Sequence, residues 1–179
     1  MSPHVLWRQA TPGHRSWLLL NAILIAAFIN AALSALIAWG SAASEDDIPL
    51  WKAPLVGGTN LITDTVGTFF ILPFLTTLVI TTVVWSELQD GKLTPLARRT
   101  AGVFSRAPST RLRRAAYFGL ICMLVLGPPA VIVLILIDVS PISVGHFVLY
   151  KAILGVLLGA VVTPPIALAA MTDTPPPKT

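Results

Sequence analysis

Four long apolar runs, set apart by short polar connections, constrain this chain more than any other feature. They occupy about residues 17–39, 61–85, 115–137 and 146–170 of the 179. Each is close to the ~20 residues with which a helix crosses a ~30 Å hydrocarbon core. A hydrophobic content of 55% with only 11% charged residues lies outside the range of soluble domains. The expected fold is all-α: an integral membrane bundle of four transmembrane helices over residues 17–170. A tail of residues 1–16 precedes it, and a disordered, proline-rich tail, 171–179, follows. Ser41-Ala42-Ala43 resembles a signal-peptide cleavage site, but the run from Trp17 to Trp39 is too long for a signal core and reads as a retained span.

Charge sets the expected orientation. The connection 87–114 carries Lys92, Arg98, Arg99, Arg106, Arg111, Arg113 and Arg114 against Glu87 and Asp90. Basic residues in short connections stay cytoplasmic. The loop after the first span has the opposite bias, Glu45, Asp46 and Asp47 against Lys52, and should face out. With Arg8 and Arg15 in the first tail and an even number of spans, both termini are expected in the cytoplasm, across a plasma or bacterial inner membrane. The net charge of +4 belongs to residues beside apolar runs, so the expected partner of Arg98, Arg99, Arg106, Arg111, Arg113 and Arg114 is anionic lipid, not nucleic acid. Thr94-Pro95 has the form of a helix start, and the stretch from Leu93 to Arg106 reads either as a short helix on the inner leaflet or, since Gly102 and Pro108 weaken the helical pattern, as an unstructured basic linker.

Small and polar residues within the runs point to close packing. Ala27, Ala31 and Ala35 recur every four residues in the first span, and Gly155 and Gly159 do so in the fourth. Such stripes let helix backbones approach, while Asn21, Asn30 and Ser34 offer hydrogen bonds between helices. Asn30 should face protein, because an amide without a partner is costly in hydrocarbon. The threonines of the second span can return their hydroxyls to the preceding turn. Pro73, Pro128-Pro129 and Pro164-Pro165 interrupt backbone hydrogen bonding within the runs. Lys151 is the one basic residue inside an apolar run, and Asp64 is its natural partner. The two form a candidate intramembrane ion pair, with snorkelling of Lys151 to the outer headgroups as the alternative.

Reaction chemistry is not visible. His4 and His14 belong to one side and His146 to the other, and Cys122 is the lone cysteine, so no metal or haem constellation is expected. No cofactor is implied. No glutamate lies in the first span, as small multidrug transporters require, and the paired cysteines of claudins and tetraspanins are absent. The chain reads as a non-enzymatic membrane subunit or scaffold that packs against partner transmembrane helices, or against copies of itself, and against anionic lipid. The alternative is an oligomeric small-solute or ion transporter that uses the Asp64/Lys151 pair.

Overall fold

The computed structural model describes residues 17–52, 59–97, 107–138 and 141–174. Arg98, Arg99 and Arg106 lie outside the described residues, as do both chain ends and the side chain of Asn21. Among the described residues the chain is a helical bundle containing four helices long and apolar enough to cross a membrane. Helix α1, Ala26–Ala42, continues from a wider π-helical segment, Leu18–Ile25. Helix α2 spans Leu61–Gln89, α3 Arg111–Leu136 and α4 Val144–Met171.

The boundaries follow local chemistry. The Asn60 side chain caps α2 by accepting from the Thr63 amide at 2.9 Å. Gly91, at φ 71°, ends α2 in the left-handed region that glycine enters freely. Ser143 caps α4 through the His146 amide. Three helices run beyond the apolar stretches: α2 continues past Trp85 to Gln89, α3 begins at Arg111, and α4 ends at Met171. Charged residues extend a helix without loss once it leaves the apolar region, so hydropathy under-reads its ends. Thr94–Ala97 is not helical; instead the Leu96 amide donates to the Met171 carbonyl at 2.9 Å. The stretch 171–174 is likewise no free tail, since Met171 is fully buried and Asp173 is 9% exposed.

At one end, the loop after α1 and the link before α4 pair through two short antiparallel strands, β1 (Asp47–Ile48) and β2 (Ile142–Ser143). Ile48 is buried there against a small core that includes Leu61, Leu134 and Phe147. We call this the hairpin end. The opposite, basic end holds residues 90–97 and 107–110 and the end of α4.

The helices are not packed as a closed square. Helix α1 lies on α4, α4 on α2, and α2 on α3, whereas α1 and α2 touch sparsely and α3 and α4 hardly at all. The order α1–α4–α2–α3 leaves two side openings. The one between α3 and α4 is about 690 Å³, lined by residues including Pro129, Val133, His146, Tyr150 and Leu154.

Glycines set the closest approaches. A Cβ on Gly155 would sit 2.6 Å from the Asn30 carbonyl oxygen and 2.9 Å from the Ala31 Cα. One on Gly159 would sit 2.7 Å from the Ala27 Cα. The alanine stripe of α1 and the glycine stripe of α4 therefore face each other, with Ala35 half-buried farther along the same helix. Gly119 plays the same part between α3 and α2, where a Cβ would meet the Phe70 carbonyl at 3.0 Å. Gly155→Leu is expected to separate α1 from α4 and destabilise the fold by roughly 1–3 kcal/mol or more, since backbone cannot yield as a side chain can. Thermal unfolding in lipid nanodiscs measures this; an unchanged midpoint would show that the two helices do not meet at Gly155.

Candidate functional site

Two buried clusters of charge, one at each end, hold the polar chemistry of the structure. At the hairpin end, α4 carries Lys151 inward to 2% exposure. Its Nζ lies 2.5 Å from Asp64 Oδ2 on α2 and also donates to the Thr68 hydroxyl. Thr68 in turn donates to the Asp64 carbonyl at 2.7 Å, one helical turn earlier. One turn of α2 thus supplies both partners of the ammonium. Beside them, the Thr65 hydroxyl and the Tyr150 phenol share a hydrogen bond of 2.9 Å. The ammonium is too deeply enclosed to reach past the bundle surface, so it pairs with Asp64 instead of snorkelling.

The pair borders a cavity of about 270 Å³ in the opening between α1 and α2. Ser34, Thr63, Asp64, Thr68 and Lys151 give it a polar wall; Ile37, Ile71 and Leu75 give it an apolar one. Asn30, farther along α1, is buried and accepts from the Thr76 hydroxyl at 2.9 Å. That bond supplies α1 and α2 with a polar link where their packing is thin.

At the basic end, Arg114 is 1% exposed and grips Asp173 with both terminal nitrogens. Nη2 donates to Oδ1 at 2.9 Å. Nη1 sits 2.8 Å from Oδ2, close enough for strong ionic contact though not aligned as a hydrogen bond. Arg114 Nε donates to the Pro108 carbonyl and the Trp85 indole N–H donates to Asp173 Oδ2, each at 2.9 Å. Arg114 therefore does not face lipid headgroups. A carboxylate within reach holds it inside, and of the basic residues of α3 only Arg111 and Arg113 remain exposed. Arg111 stands over the Trp85 ring, 5.7 Å from its centroid, and donates to the Thr82 hydroxyl at 3.0 Å.

From Lys151 to Met171, where α4 ends two residues before Asp173, the helix rises about 30 Å at ~1.5 Å per residue, close to the ~30 Å of a hydrocarbon core. The two ion pairs therefore bracket one apolar slab. Among the described residues, no group of three His, Cys, Asp or Glu side chains converges to hold a metal ion. Trp85, Gly119 and Asp173 take part in this architecture without having been legible as site residues. A proline-rich tail conceals Asp173, and only the tertiary approach of Arg114 reveals it. Compared with known proteins, the chain matches no family model, no curated protein and no solved structure.

Removing one member of a buried pair strands the other charge, at a cost of about 3–5 kcal/mol, whereas replacing both with apolar residues is close to neutral. Lys151→Met alone should thus destabilise far more than Lys151→Met combined with Asp64→Leu. Chemical denaturation of the two singles and the double reads the difference; strictly additive effects would show that the residues do not interact.

Proposed function

We propose that the protein is a non-enzymatic integral membrane subunit or scaffold that holds anionic lipid at its basic end, with that end and both termini cytoplasmic. The observation that carries this reading is the fixed guanidinium of Arg111. Trp85 and Thr82 immobilise it at the rim of a groove of about 730 Å³, whose other lining residues are Leu78, Val79, Val83 and Leu112. A cation above an apolar furrow matches a phosphate headgroup above an acyl chain. Arginine keeps further N–H donors for a phosphate after bonding Thr82, and the exposed Arg113 adds a second positive charge nearby.

A partner helix has to use another surface than the small-residue stripes, because those occupy one another. The opening between α3 and α4 is one apolar surface open to it, and the exposed face of α1 with Phe28, Ile29 and Leu36 is another. A second reading, an oligomeric carrier coupled through Asp64 and Lys151, draws on the cavity beside that pair. Unaltered flux in vesicles carrying Lys151→Met or Asp64→Asn would remove it.

The lipid reading is tested by native mass spectrometry of protein released from mixed phosphatidylglycerol and phosphatidylcholine vesicles. Selective retention of phosphatidylglycerol is expected. Arg111→Gln should weaken it about fivefold, given ~1 kcal/mol per basic residue at an anionic surface. Equal retention of the two lipids, or indifference to Arg111→Gln, would contradict the reading. A different polypeptide retained in the same spectra would identify the assembly the subunit serves.

A further inference from the structure

We infer that the cavity between α1 and α2 is a binding site for a neutral, hydroxyl-bearing amphiphile that enters sideways from the bilayer. The inference concerns binding alone and depends neither on the lipid site at Arg111 nor on transport.

The polar wall determines the head group. Lys151 and Asp64 neutralise each other, so a cation would have to compete with the ammonium and an anion would meet the carboxylate. A neutral group encounters neither penalty. Lys151 binds Asp64 through Oδ2, and the carboxylate, 19% exposed, keeps acceptor capacity beyond that one bond. Ser34 lies in the same wall at 3% exposure, and its hydroxyl is buried without a hydrogen-bond partner among the described residues. Thr81 and Thr163 also have buried hydroxyls without partners, but neither lines this cavity. An unmade hydrogen bond in an apolar region is costly. A ligand hydroxyl both donates and accepts, so one such group can donate to Asp64 and accept from Ser34.

The apolar wall determines the rest. Ile37, Ile71 and Leu75 are 46%, 50% and 37% exposed, so the cavity opens along the flank of the bundle instead of toward its core. Its volume of about 270 Å³ falls just below the ~300–1,000 Å³ typical of sites that enclose a whole small ligand. A head group with its first methylenes fits inside while the chain trails over Ile71 and Leu75. Gly67 lines the cavity, and a Cβ there would meet nothing within 4 Å. The absent side chain leaves the space open, and unlike Gly155 and Gly159 this glycine permits no helix contact.

The experiment is photolabelling of the full chain in phosphatidylcholine nanodiscs with a diazirine-bearing octanol, compared with the matching diazirine-bearing octane, followed by peptide mapping. The alcohol is expected to label the α1 segment around Ser34 and Ile37 and the α2 segment around Gly67 to Leu75 saturably, and unlabelled octanol should compete. The hydrocarbon should label every exposed apolar face alike. Gly67→Leu puts a side chain into the space from a Cβ that meets nothing within 4 Å, and should abolish the saturable component. Ser34→Ala leaves the space open and should weaken saturable labelling about tenfold, the loss of one buried hydrogen bond. If Gly67→Leu does not fold, Ser34→Ala decides alone. Labelling by the alcohol in the hydrocarbon's pattern, or saturable labelling unchanged in the variants that fold, would overturn the proposal.

Discussion

The contact of α4 with the backbone of α1 is the constraint on which the rest of this structure depends. Two glycines bring the helices so close that neither tolerates even a methyl group at the crossing. That approach fixes the rotation of α4 about its axis, and the rotation decides where every other group on α4 points. Lys151 turns toward α2, where Asp64 and Thr68 receive it. Farther along, the end of α4 carries Asp173 beneath α3, where Arg114 takes it. Each of the other three helices is thus attached to α4 or its end: α1 by close van der Waals contact, α2 by the Lys151–Asp64 ion pair, and α3 by a second ion pair, Arg114–Asp173.

Ion pairs are a costly way to join helices in a low-dielectric medium, because desolvation offsets much of the attraction. What they add is specificity. Apolar faces alone offer little to distinguish one packing from another when lipid tails are equally apolar. With one pair near each end of the slab, sliding α4 by a turn, or rotating it, would strand two buried charges. The open order of helices becomes intelligible on the same basis. Helices α1 and α3 need only one well-packed neighbour each, and the sides they leave uncovered form the two openings that the functional proposals use.

Much of this was legible in the residues because hydrocarbon makes polar groups conspicuous. Four apolar runs announce the four helices, and Asp64 and Lys151 stand out as rare charges within or beside them. The stripes of Ala27/Ala31 and Gly155/Gly159 were visible as packing surfaces, but periodicity on a single helix does not name the helix opposite. Only the fold shows that they face each other. Arg114 illustrates a different limit. With Arg111 and Arg113 it forms one basic patch in sequence, yet the three have different surroundings. A carboxylate from a segment 59 residues away selects Arg114 for burial. Asp173, in turn, sits before a run of prolines that reads as free tail. The buried, unpartnered hydroxyl of Ser34 was equally hidden, since a serine in a span normally finds a neighbour.

The most direct test of α4 as the organising helix is a dipolar-coupling measurement by solid-state NMR in bilayers, with lysine and arginine side chains labelled with nitrogen-15 and aspartate carboxyls with carbon-13. The account predicts two strong nitrogen-to-carboxyl couplings, assigned by Lys151→Met and Asp173→Asn to the pairs Lys151–Asp64 and Arg114–Asp173. Absence of both couplings in well-folded protein would contradict it, for α4 would then be joined to α2 and α3 by something other than these charges.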